Sequence, residues 1–129
     1  MKYIGIFILA LSASSVANAE LISEAILDFG NVDLGSSNSK DVLVTNTGGD
    51  LYNFTISMTG NSNEFSWTNC PSPFPAEGTC LFTLTLTPQH YGAKRRKLNF
   101  DGYELAGDAH NDVSLTIPVI GTSDPFNKP

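Results

Sequence analysis

Several things are scarce in this chain of 129 residues: it has only two cysteines, one tryptophan and seven basic residues. Two cysteines, Cys70 and Cys80, allow a single intramolecular pairing. They are not spaced C-x-x-C, so a structural clip rather than a redox centre is expected. No helical period is visible beyond the first 19 residues. Long hydrophobic runs are missing too, because Ile4 to Leu11 falls well short of the roughly 20 residues that span a bilayer, and no second run follows. Stable membrane insertion is therefore not expected. With 13 acidic residues the formal net charge is −6, which makes a poor ligand for nucleic acid or anionic membranes.

The first 19 residues read as a secretory signal peptide. Lys2 precedes the short apolar run, and Ala17, Asn18, Ala19 form an A-x-A cleavage pattern before Glu20. No cysteine stands at that junction, so lipid attachment is not expected. Cleavage would remove one lysine and take the net charge from −6 to −7. The remaining length suits one domain with a real core, and export implies an oxidising compartment where Cys70 and Cys80 would pair.

The segment between the cysteines holds Pro71, Pro73, Pro75 and Gly78, which excludes helix and central strand. It is a loop. Directly after Cys80, Phe82, Leu84 and Leu86 alternate with Thr83, Thr85 and Thr87, the period of a strand with one buried and one wet face. Further strands are predicted at Ile26 to Gly30, continuing through Val32 to Gly35 after a kink, at Asp41 to Thr45, at Phe54 to Met58 and at Phe65 to Trp67. Leu43 blurs the alternation of Val42 and Val44. Lys94 to Phe100 and Val113 to Val119 supply the last two, the second with Pro118, which suggests an edge or a bulge. Asp101 to Asp112 reads as a long hairpin connection. About seven short strands at this spacing, without repeats, predict an all-β, seven-stranded immunoglobulin-like sandwich over residues 20–122, with a flexible tail over 123–129. The first and last strands are the expected sheet edges.

Taken in order, Leu27-Asp28-Phe29-Gly30, Val32, Gly35, Thr45-Asn46-Thr47-Gly48, Phe65, Cys70, Gly78-Thr79-Cys80, Phe82, Thr87-Pro88, Gly92, Ile117-Pro118-Val119 and Ile120-Gly121-Thr122 resemble the ASPM, SPD-2, Hydin (ASH) domain. The nearest form is the bacterial secreted choice-of-anchor D type. The resemblance covers Ile26 to Thr122. It implies a sandwich related to major sperm protein and pilus chaperones, a binding or assembly role and no catalytic residues to carry over. No cofactor is expected.

Among candidate sites, Lys94, Arg95, Arg96 and Lys97 gather four of the seven basic residues. On a strand they would split, Lys94 and Arg96 to one face, Arg95 and Lys97 to the other, half a patch on each side. This could orient docking to an acidic surface. Charge guarding a sheet edge explains the run without a partner. Asp101, Glu104, Asp108, His110 and Asp112 gather oxygen donors, but not at calcium-loop spacing, so a solvated loop is expected and no metal site. His90 and His110 lie on different connections. Trp67, with Tyr52, Tyr91 or Tyr103, could stack on a sugar, yet Phe65 and Trp67 share a face and are expected in the core. Asn53-Phe54-Thr55 fits a glycosylation sequon by chance, inside a strand.

No nucleophile, base or carboxylate pair can be argued from this order of residues, so an enzyme is not expected. The leading expectation is a periplasmic or secreted module docking to a protein partner through a sheet edge or loop rim. A carbohydrate-binding module, with a glycan as partner, is the first alternative, and a structural subunit of a surface appendage the second. The final strand at Val113 to Val119 counts against the latter.

Overall fold

A computed structural model describes residues 20–125. The expected signal peptide and the end of the expected tail lie outside them. Eight strands follow in chain order: β1 (Leu21–Ile22), β2 (Leu27–Asn31), β3 (Asn38–Asn46), β4 (Tyr52–Thr59), β5 (Phe65–Trp67), β6 (Thr79–Leu86), β7 (Gly92–Ala106) and β8 (Ala109–Ser123). They form two four-stranded sheets, β1-β3-β6-β5 (sheet one) and β2-β8-β7-β4 (sheet two). All pairings are antiparallel except β2 with β8. The predicted all-β sandwich is what is seen, with one short strand, β1, added at the start.

Alternation of apolar residues builds the core between the sheets. Val42 and Val44 of β3, Phe82, Leu84 and Leu86 of β6, Leu98 and Phe100 of β7, and Ile117 and Val119 of β8 are all fully buried. Rings lock the layers together: Phe82 meets Phe100 edge-on at 5.2 Å, and Phe29 of β2 meets Phe65 of β5 at 6.3 Å.

Three details depart from expectation. Asp101 to Asp112 is no long connection, because β7 runs to Ala106, β8 starts at Ala109, and only Gly107 and Asp108 turn the chain. Gly107 has φ +67°, and a glycine in the left-handed region at the first of two turn positions is the type II′ hairpin pattern. Polar composition had concealed a strand that is wet on one face.

The last strand is also not an edge. β8 lies between β2 and β7, because β2 adds to it in parallel. Pro118 fits there because that pairing begins only at Leu27 opposite Val119, so the β2 flank is open at the proline. Finally, β8 continues past Thr122 to Ser123, which is buried, and the Asp124 amide donates to Asn31 Oδ1 at 2.8 Å.

Candidate docking surfaces

The basic run opens β7, and the pleat divides it as expected. Lys94 and Arg96 share the inward parity of Leu98 and Phe100, whereas Arg95 and Lys97 point out and are exposed. Lys94 is only 4% exposed. Its Nζ lies 3.0 Å from Glu64 Oε2 and donates to the His90 carbonyl at 2.7 Å. Glu64 Oε2 also accepts from the Gln89 and His90 amides, at 2.6 and 3.1 Å. Burial by itself would raise the Glu64 pKa, but these amides and the Lys94 ammonium outweigh it and hold the carboxyl below its ordinary value.

Arg96 is similarly occupied. Its Nε donates to the Asn61 carbonyl at 2.6 Å and Nη1 to the Arg95 carbonyl at 2.7 Å, with the guanidinium 5.8 Å from the Phe65 ring centre. Lys94 and Arg96 therefore knit the sandwich. Arg95 and Lys97 remain available beside a shallow cleft lined by Thr59, Gly60, Arg95, Arg96 and Lys97. The sequence carries no sign of Glu64 as a partner, since it lies 30 residues from Lys94.

The aromatic candidates do not converge. Tyr52 and Tyr103 are cross-strand partners with rings 5.9 Å apart, and Tyr103 stacks on His110 at 4.1 Å. Trp67 instead packs against the core from sheet one, and exposed Tyr91 precedes β7 at the far end. Asp101 and Asp112 are exposed on the two strands of the hairpin, and Glu104 accepts from Asn111 Nδ2 at 2.8 Å. Among the described residues no three His, Cys, Asp or Glu side chains group as a metal site.

Cys70 and Cys80 are bonded, with Cα atoms 5.7 Å apart, joining the chain after β5 to β6. The stapled loop is not loose. Phe74, between two prolines, is fully buried, exchanges backbone hydrogen bonds with Leu51 at 2.9 and 2.8 Å, and meets Phe54 edge-on at 5.1 Å. Ser72 Oγ accepts the Phe54 amide at 3.0 Å. Asn46, fully buried, ties this loop to the turn after β3 by donating Nδ2 to the Gly49 and Pro75 carbonyls at 2.8 and 3.0 Å. Sequence reasoning assigned Phe74 no role and marked Asn46 only as part of a turn motif. A lone phenylalanine among prolines was the available signal for the first, and an asparagine opening a glycine turn for the second.

The sandwich also leaves a flank of sheet one open. β1 covers β3 only at Thr45 and Asn46, so among the described residues Asn38 to Val44 pairs with β6 on one side and with no strand on the other.

Over residues 15–103 the chain matches the family model described as "Abnormal spindle-like microcephaly-assoc'd, ASPM-SPD-2-Hydin". The chain belongs to the ASH family. Among solved structures, this ASH domain is similar to the ASH/PapD-like domain 7 of human CEP192, with a TM-score of 0.65 and 12% identity, covering 88% of this chain and 93% of that one. It is also similar to the Vibrio cholerae VesB protease, with a TM-score of 0.52 and 17% identity over 81% of this chain and 32% of the protease. Both are likenesses of fold. No curated protein matches. ASH domains are generally non-catalytic protein-interaction modules.

Proposed function

We propose that this ASH domain is an exported docking module, periplasmic or secreted and of the bacterial choice-of-anchor D kind, that binds a partner protein without catalysing a reaction on it. One observation carries the reading: in a chain of formal net charge −6, Arg95 and Lys97 stand exposed together on the outer face of sheet two beside an open cleft. Two exposed cations in an acidic molecule orient it toward an acidic partner surface. The A-x-A pattern at Ala17 to Ala19 and the Cys70–Cys80 bond support export to an oxidising compartment.

The test is capture of a partner from the native envelope or culture fluid, beside an Arg95→Ser, Lys97→Ser variant. One protein held by the native form and lost with the variant supports the reading and its site. Equal capture by both moves the interface elsewhere on the domain. Capture by neither overturns the docking function.

A glycan partner draws support from the adjacent Tyr52 and Tyr103 rings. Against it, His110 already covers Tyr103, and Trp67 packs against the core. A strand-accepting appendage subunit is disfavoured because β8 fills the interior of sheet two.

A further inference from the structure

The open flank of β3 presents backbone that no described strand pairs with. Asn46 donates its amide to Gly78 on the β6 side, whereas Thr47 donates to Glu20 on the β1 side. Antiparallel ladders alternate, so the backbone N–H and C=O groups of Ser39, Asp41 and Leu43 aim at the open flank. These residues also share the outer face of sheet one. Leu43 is 52% exposed, its cross-strand partner Leu81 is 62% exposed, and Ile22 of β1, opposite Thr45, is 48% exposed. The rest of the row is polar, with Ser39 bonded to Thr85 at 2.8 Å and Asp41 accepting from Thr83 at 2.8 Å. Unpaired backbone beside a small aliphatic patch is the form of a strand-addition site.

The other edges are poorer. β5 is only three residues long, and β2 is interrupted by a register shift at Gly30. β4 is bulged between Tyr52 and Thr55 and its start is covered by the stapled loop.

A second copy of the chain is the wrong occupant. Two β3 flanks paired about a twofold axis at Asp41 or Lys40 set like charges directly opposite, which is destabilising. Pairing about Val42 sets Leu43 against Asp41, and pairing about Ser39 leaves Leu43 beyond the paired segment. The register that would set Leu43 against Leu43 places Asp41 opposite Thr45, which β1 already covers.

We infer that β3 takes an extended segment of another protein, antiparallel and in line with β1, carrying a basic side chain opposite Asp41 and an aliphatic one opposite Leu43. This rests on the docking reading above but uses the opposite sheet from Arg95 and Lys97, so the two can fail separately.

The probe is a capped synthetic peptide of about seven residues, threonine and valine in alternation with one lysine two positions from a valine, titrated into the ¹⁵N-labelled protein. Amides of Ser39, Asp41 and Leu43 are expected to shift and gain exchange protection. A peptide N-methylated at alternate amides should fail to bind, and Leu43→Lys should weaken binding by about tenfold or more. Arg95→Ser with Lys97→Ser should leave peptide binding unchanged. The inference is overturned if no β3 amide responds, if the methylated peptide acts equally, or if sedimentation finds a dimer that Leu43→Lys dissolves. In the first two cases, a native partner still lost with Arg95→Ser, Lys97→Ser would leave the docking reading standing.

Discussion

Lys94 Nζ sits 3.0 Å from Glu64 Oε2, a buried ion pair that joins β7 to the turn before β5. Removing one member strands the other's charge away from water. Lys94→Met is expected to cost about 3 kcal/mol. Arg95→Ser and Lys97→Ser, on the wet face of the same strand, should each stay within about 0.5 kcal/mol. Urea unfolding of the three variants checks the contrast, and equal effects would contradict this division of the run.

Because Glu64 is held below its ordinary pKa, the folded state binds its proton less readily than the unfolded chain. The stabilisation is therefore complete above the unfolded glutamate pKa of about 4.3 and is lost as pH falls through the lowered folded value. Glu64→Gln should lose this component, so the stability gap between it and the native protein narrows on acidification below about pH 4. A gap that stays constant or widens there would count against the pairing.

The Cys70–Cys80 bond closes a loop with a sequence separation of 10. On the chain-entropy model, Cys70→Ser with Cys80→Ser should lower stability by about 3 kcal/mol. Phe74 is fully buried against Leu51 and Phe54, so part of the loop should stay ordered without the bond. Amide exchange of Leu51 and Phe74 in the double variant would show whether it does.

Asn46→Ala would leave the carbonyls of Gly49 and Pro75 and the amide of Gly48 without their side-chain partner. The expected cost is about 2–3 kcal/mol. Asn46→Asp keeps the acceptor for Gly48 but loses both donations, so it should not rescue stability. Thermal unfolding of the pair distinguishes loss of hydrogen bonds from loss of volume.

Gly121 of β8 is packed between Leu86 of the facing sheet and Phe29 of the neighbouring strand, and a Cβ there would lie 3.2 Å from both Phe29 Cβ and Leu86 Cδ2. Gly121→Val should overpack this contact by about 1–3 kcal/mol, with Gly121→Ala milder. A neutral Gly121→Val in denaturant titrations would show that the sheets can separate locally at no cost.

The sequence alone determined the fold class and most strands, because side-chain alternation is a local property. Phe82, Leu84 and Leu86 against Thr83, Thr85 and Thr87 state which face is buried without reference to any other strand. The pairing of Cys70 with Cys80 was legible because no other cysteine competes. What only the tertiary structure decided is which strands become neighbours and what their outer faces meet. Leu43 interrupts the Val42 and Val44 pattern for a reason found on β6, where Leu81 stands beside it. Lys94 belongs with Glu64, 30 residues away. β8 lies inside its sheet because β2 adds in parallel. Asp101 to Asp112, polar enough to read as a loop, is held extended by the matching strand across a two-residue turn. Local periodicity sets the orientation of each side chain, whereas cross-strand hydrogen bonding between distant segments sets its company.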